Sequence, residues 1–421
     1  MPKTILIQLL FAGAYFLYGC DSILGTKGDE TTDEIFEEGA IDPDLIPDDV
    51  GYAALLPFWD EFDHPTDIHI GYDELVYITD AQGLHLYDRA GRPYEFIELS
   101  GAQAVTQDRN LNVYVAARID TLIEEDNVDT LVYNLPAVYK YRDINRQEPQ
   151  LIQEIVFPFA DDSRTSFVNR ARLDTSIANN YEHVEITDVA TFADNTLFMS
   201  RTGPDNRLGE AFAPDNTILE FNEDSEGRMI NTGQLRTLSP VTPSLISSVS
   251  PSAIATFATP PQRDNVSGDL GFLLAQGAQD VTIPFRVLWI RAEETPDGIS
   301  YRPNQQLLAT DTTQADRFLY DEHRFQNPSS ITYSGDERNH IFVTDAAKDS
   351  LFVFQSNGIE GIEPPPGSEA TRPISVSFGG TGSGPREFRN PSGVAYFDRI
   401  VYVADKGNNR IARYRLNTDF E

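Results

Sequence analysis

The feature that most constrains this chain is a run of short apolar segments cut by polar turns. It is clearest in FRNPSGVAYFDRIVYVADKGNNRIARYRL, Phe388 to Leu416. GVAYF, RIVYVAD and RIARYRL are each of strand length, and the brief polar stretches between them suit an antiparallel meander. No 3.6-residue apolar period runs through the segment, which argues against helix. The same grammar returns in FQNPSSITYSGDERNHIFVTDAAKDSLFVFQ from Phe325 and in FDHPTDIHIGYDELVYITDAQGLHLYDRAG from Phe62. Weaker copies begin at Gly101 (GAQAVTQDRNLNVYVAAR), Ile186 (ITDVATFADNTLFMSR) and Pro251 (PSAIATF, then GFLLAQG). Aligned on Pro65, Ala102, Ile186, Pro251, Pro328 and Pro391, these copies make six units.

A fourth strand per unit is expected at EFIEL, LIQEIVF, GQLRTL, QQLLAT and ISVSF, leaving only the last unit without one. The upstream run YAALLPF from Tyr52 has no other partner and is expected to supply it, so that the two ends of the fold pair and no sheet edge is left open. Abundant punctuation, 26 Pro and 28 Gly, also favours short strands over long helices. The reading is all-β: a six-bladed β-propeller over residues 52–421, closed by an N-terminal strand.

Phe, two residues, Pro, a strand, then an aliphatic–aromatic strand ending in Asp resembles the NHL repeat, and YVADKGNNRI from Tyr402 is close to that family's consensus. In such a fold Tyr77, Tyr114, Phe198 and Tyr402 are expected in the packing between blades, and Asp80, Asp345 and Asp405 should accept hydrogen bonds from the turns that follow them. The equivalent positions elsewhere are Ala117, Arg201 and Gln276. With Arg118 and Arg201 on one arc and the three Asp residues on the other, a polarised rim is expected, able to orient an anionic or zwitterionic ligand.

The first twenty residues, MPKTILIQLLFAGAYFLYGC, have a basic start and an apolar run too short to span a bilayer permanently. LYGC resembles the lipobox of bacterial lipoproteins, which makes Cys20, the one cysteine, the expected lipid anchor. The resemblance implies a lipid-anchored protein of the bacterial cell envelope, expected in the outer membrane, with the membrane as its first partner. Residues 21–51 are acidic and poor in aromatics, and are expected to form a flexible tether. A formal charge of −34 argues against nucleic acid as a partner, because phosphate binding needs a cationic footprint.

Connections into first strands and between second and third strands share one propeller face. The long ones fall there: RIDTLIEEDNVDTLVYNLP, RTGPDNRLGEAFAPDN and QGAQDVTIP between strands, and residues 158–183 and 311–323 ahead of first strands. Per-unit insertions on one face are how repeat folds build binding surfaces. No nucleophile elbow, zinc-spaced histidine pair or phosphate loop accompanies them, and no cofactor is expected. His69, in DIHIG, is the one histidine expected near the axial channel. The resulting expectation is a non-catalytic lipoprotein whose rim binds a protein, peptide or glycan, as an accessory subunit of a membrane complex. The alternative is a metal-dependent hydrolase or lyase centred on the channel, since some proteins resembling this fold hold a metal on inner-strand His and carboxylates.

Overall fold

A computed structural model describes residues 40–420 except 126–128, 146–148, 158–181, 204–215, 236–237, 239–240, 259, 261–268 and 278–282. Cys20 and most of the expected tether therefore lie outside the described residues, as do most of the connection before blade 3, most of RTGPDNRLGEAFAPDN in blade 3, and residues 278–282 of QGAQDVTIP in blade 4.

Six antiparallel sheets succeed one another along the chain, each laid out from an inner to an outer strand. The inner strands are Asp67–Ile70, Ala104–Gln107, Glu185–Thr191, Pro251–Thr256, Pro328–Tyr333 and Pro391–Phe397. Burial follows position in the blade. Second strands such as Val76–Thr79, His340–Asp345 and Ile400–Asp405 are buried at every residue, whereas the outer strand Pro93–Glu98 is largely exposed. A middle strand has a neighbouring blade on each face, so both of its side-chain rows must be apolar or internally paired. Tyr77, Tyr114, Phe198 and Tyr402 are inaccessible to solvent. The core is accordingly a ring of interface clusters: Tyr77 packs with Val105 and Val115 between blades 1 and 2, and Tyr402 packs with Ile68 and Ile78 between blades 6 and 1.

The ring closes through Tyr52–Leu56, whose first residues pair with the last strand (Tyr52 with Leu416, Ala54 with Tyr414). Trp59 and Ile411 exchange backbone hydrogen bonds of 3.1 and 2.7 Å just beyond. Tyr52 lies edge-on to Phe342 and stacks on Phe378, which ties the closing strand to blade 5 as well. The chain end adds a clasp: Asn417 accepts from the Gly51 amide and donates to the Pro47 and Asp49 carbonyls, and Asp419 pairs with both terminal nitrogens of Arg338.

Four expected features differ. Blade 4 takes Gly298–Pro303 as its outer strand, because the two residues Pro296 and Asp297 turn a tight hairpin at Thr295 and Gly298; Gln305–Leu308, where that strand was expected, is a 3-10 turn capped by Asn304. In blade 5 only Phe378–Gly379 of the expected ISVSF region pairs as an outer strand. The insertion after Ser356 folds back first, its Gly361 amide donating to Val353 and its Ile362 pairing with Ile374, and so occupies that edge. Ala40–Ile41, within the expected tether, adds a fifth strand on Leu55–Leu56. Finally, the blade 2 insertion is not a loop: Val113–Glu125 and Asp129–Arg142 pair continuously from Val113–Tyr141 to Glu125–Asp129. Ile119 to Glu125 and Asp129 to Leu135 pair only with each other, making a ribbon about 23 Å long at about 3.3 Å per residue.

Candidate functional site: the axial channel and its mouth

Each inner strand leaves its free edge towards the axis, and backbone groups there need partners that the sheet cannot give. The sequence supplies them by position within each unit. The second residue is a hydroxyl in five units. Thr66 donates to the carbonyl of Ala102 (3.0 Å), Thr187 to Pro251 (2.7 Å), Ser252 to Pro328 (2.6 Å), Ser329 to Pro391 (2.6 Å) and Ser392 to Pro65 (2.7 Å). Each bond joins one blade to the next, and the last spans the closure. Blade 2 has the exposed Gln103 at this place.

The third residue alternates polar and small: Asp67, Ala104, Asp188, Ala253, Ser330, Gly393. Odd blades reach to even ones. Asp67 Oδ2 accepts from the Val105 amide (3.0 Å), Asp188 Oδ2 from Ile254 (2.7 Å) and Ser330 Oγ from Val394 (3.2 Å). Glycine is required in blade 6, because a Cβ at Gly393 would stand 2.9 Å from the Asp67 Cα.

Asp67 and Asp188 line both the waist of the channel, a cavity of about 90 Å³, and the wider mouth of about 230 Å³ above it. Thr66, Ser252, Ser329, Ser392 and Lys406 edge that mouth. It opens on the face that carries the blade 2 ribbon, since Ala346 and Lys406, the first residues past their second strands, line it too. Burial in the channel wall raises the Asp67 carboxyl to about 7, against two backbone donors that favour its charge. Burial, and then repulsion from Asp67, holds Asp188 well above the usual carboxylate range. His69 is on the same strand as Asp67. Its Nε2 accepts from the Gln107 amide at 3.3 Å, and burial lowers its pKa to about 4, so the ring is neutral at pH 7, as an accepting nitrogen must be. Below it, the Gln107 side chain accepts from the Tyr72 amide and donates to Tyr77 and Asp73.

The rim residues expected to face a ligand are instead engaged within the fold. Asp80 accepts from the amides of Asp63, Gln82 and Gly83 and contacts His85 at 2.9 Å; burial alone would raise its pKa, but the His85 and backbone bonds bring it below the usual value. Asp345 takes the amides of Gln326, Asn327, Ala347 and Lys348. Asp405 takes the Arg389 amide, Asn408 and Arg410. Gln276 accepts from Val249 and donates to Ile246. Arg201 is fully buried with its guanidinium 5.1 Å from the centre of the Phe157 ring. Arg118 donates to the carbonyls of Val184, Glu182 and Asn134. The polarised arc is thus a set of internal fasteners between second strands and leading connections.

Among the described residues no three His, Cys, Asp or Glu side chains gather as a metal site. Asp67 and Asp188 escaped notice because each is a single acid in a short strand. Only the ring brings them together, although the alternation at the third position of the aligned units is visible in the sequence.

Residues 388–414, most of blade 6, match the family model of the NHL repeat. No curated protein matches the chain. Among solved structures, the chain is similar to an auxiliary nutrient binding protein from Bacteroides thetaiotaomicron (TM-score 0.48, 10% identity, 90% of this chain and 75% of that one). It is also similar to a luciferin-regenerating enzyme (TM-score 0.48, 11% identity, 87% and 95%) and to a gluconolactonase from Xanthomonas campestris (TM-score 0.45, 8% identity, 88% and 91%).

Proposed function

We propose that this propeller is a non-catalytic lipoprotein of the bacterial cell envelope, held in the outer membrane through Cys20, whose ribbon-bearing face docks a protein, peptide or glycan as an accessory subunit of a membrane complex. The observation that supports it best is the blade 2 ribbon. Seven residue pairs beyond the blade, from Ile119–Leu135 to Glu125–Asp129, have no third strand beside them and stand on the face where the channel opens. The root of the ribbon is held in the core by Tyr133 and Leu135, whereas the outer pairs, from Leu122–Val132 to Glu125–Asp129, extend past it, and contact with a second molecule accounts for that outer part better than stability does. The lipobox resemblance of LYGC supports the cellular address. The test is recovery of partners from detergent-solubilised envelopes by the full chain and by a chain in which residues 122–132 are replaced by a two-residue turn, which keeps Tyr133 and Leu135 in the core. Partners lost with the ribbon support the reading; unchanged recovery overturns it.

The second reading, a channel-centred metal-dependent hydrolase or lyase, draws on Asp67, Asp188 and His69 lining one cavity. Stoichiometric zinc or calcium in the purified chain, lost on Asp67→Asn, would favour it over the first.

A further inference from the structure

The hydrogen bonds of the channel mouth determine what kind of guest it can take. A hydroxyl has one proton to give. Thr66, Thr187, Ser252, Ser329 and Ser392 each donate theirs to the carbonyl of the next blade, so lone pairs are what they can offer to the cavity. Asp67, Asp188 and Ser330 already hold backbone amides and present further acceptor capacity at the floor. The hydroxyl collar and the floor therefore present acceptors, with two acid side chains where the mouth narrows, while Gln103, Asn327, Asn390 and Lys406 add donors to its lining. A guest that reaches the floor must bring donors of its own, and positive charge suits the acids there. No aromatic side chain lines the mouth among the described residues, which disfavours a stacked sugar ring or a quaternary ammonium cage.

We propose that the channel mouth is a receptor for a primary ammonium group, with Asp67 and Asp188 as its counter-charges and the hydroxyl ring as its collar. Three N–H donors on a compact cation match several acceptors converging on a narrow floor. The proposal rests on the docking reading above and deepens it: the ammonium is the lysine side chain or N-terminus that a docked protein or peptide inserts into the mouth. The charged and titratable groups that face the site are Asp67 and His69 from blade 1, Asp188 from blade 3, Tyr333 from blade 5, and Tyr396 and Lys406 from blade 6, and burial raises both tyrosines so that they stay neutral across the range tested. Lys406 stands at the edge and the two acids at the floor, so a cation entering past Lys406 meets an acid pair that holds back a proton until positive charge arrives. Because the acids share a confined space and resist joint ionisation, an entering ammonium should displace a proton, and affinity should rise with pH by up to about tenfold per unit between pH 5 and 7.

The test is calorimetric titration of the full chain with Nα-acetyl-lysine methylamide, with Nα-acetyl-norleucine methylamide as the uncharged match and with putrescine as the free amine. The lysine compound should bind with proton release and the norleucine compound at least tenfold more weakly. Asp67→Asn and Asp188→Asn, checked by thermal melting, should each weaken the lysine compound about tenfold; the ligand swap needs no variant and stays decisive if either fails to fold. Putrescine binding more tightly than the lysine compound would assign the site to a free amine and overturn the inserted-lysine form. Equal binding of the lysine and norleucine compounds, or their exclusion by stoichiometric calcium or zinc, would overturn the receptor altogether. The docking reading fails separately: partner recovery that depends on the ribbon but not on Asp67 and Asp188 sinks only the ammonium site, whereas amine binding with ribbon-independent recovery sinks only the docking face.

Discussion

In blades 1, 5 and 6 the position that closes the second-strand motif is a carboxylate; in blades 2, 3 and 4 it is Ala117, Arg201 or Gln276. Both halves meet one need, which is to tie the connection leading into a blade to the turn leaving its second strand. The carboxylates do so as acceptors: Asp345 alone gathers four backbone amides, two from the leading connection and two from the turn. In blade 4 Gln276 takes one amide and gives to one carbonyl of the same connection. In blade 2 the sign is inverted, for Arg118 donates to the Glu182 and Val184 carbonyls and so grips the connection leading into blade 3. Backbone offers both N–H and C=O, so either sign of side chain can serve if its reach is right. The consequence is energetic: a buried charge is more expensive to leave alone than an amide is.

The largest effect expected from this contrast follows Asp405→Ala. It strands the buried side of Arg410 together with the Arg389 amide, and a loss of about 3–5 kcal/mol is expected from the breaking of one member of a buried ion pair. Gln276→Ala, at the same place in blade 4, should cost about 1–3 kcal/mol, the penalty of neutral groups left without partners. Denaturant melts of the two variants compare them directly. Equal losses would mean that the acidic and neutral fasteners are energetically equivalent, and the contrast between halves would fall.

The next effect is on pH dependence, where two residues of one strand oppose each other. Asp67 has a folded pKa near 7, above its unfolded value, so the unfolded chain releases its proton first and folding stability declines as pH rises between about 4 and 7. The slope approaches about 1.4 kcal/mol per pH unit for a fully enclosed acid, and is smaller here because the channel is open at its mouth. His69 has a folded pKa near 4, below its unfolded value, so its contribution is whole above about 6.5 and is lost as pH falls towards 4. Asp67→Asn keeps an acceptor for the Val105 amide and removes the first trend alone. Melting temperatures of the variant should gain on the parent as pH goes from 5 to 7.5; a constant difference would place the Asp67 carboxyl at an ordinary pKa.

The same contrast explains what could be read from the sequence. The all-β six-bladed ring and its closing strand were legible because Pro and Asp recur at fixed offsets in blades 1, 5 and 6, and because Tyr52–Leu56 was an apolar run without a partner. Outer strands were the weak point. Gly298–Pro303 faces solvent with Arg302 and Ser300 among its residues, so no alternation betrays it, whereas the apolar look of QQLLAT belongs to a turn. The ribbon was hidden because its acidic residues, EEDNVD between Ile123 and Thr130, break the apolar alternation that marks a strand, although the backbone pairs as far as Glu125–Asp129. At the rim, the hydrogen bonds expected from the turns to Asp80 and Asp345 are present. A charge in a turn looks solvated in one dimension, and only the leading connections over Asp80 and Asp345, and the Phe157 ring against Arg201, show that these side chains point inward.

The smallest effect tests the seams. Ser392 joins blade 6 to blade 1 through the Pro65 carbonyl, beside the pairing of Tyr52–Leu56 with Arg410–Leu416 that closes the ring without covalent continuity, while Gln103 is exposed at the corresponding place between blades 2 and 3, where Lys140 with Glu223, and Gln153 with both backbone groups of Met229, do the joining. Ser392→Ala removes one half-buried donor from the Pro65 carbonyl, and a loss of about 1 kcal/mol is expected. Gln103→Ala should stay within about 0.5 kcal/mol of the parent. Because the closing seam is where a ring opens first, hydrogen exchange in Ser392→Ala should accelerate at the amides of Ala54 and Trp59 more than at those of blade 3. Uniform acceleration would show that the hydroxyl ring stabilises the propeller as a whole and that the closure is no weaker than the seams the chain crosses covalently.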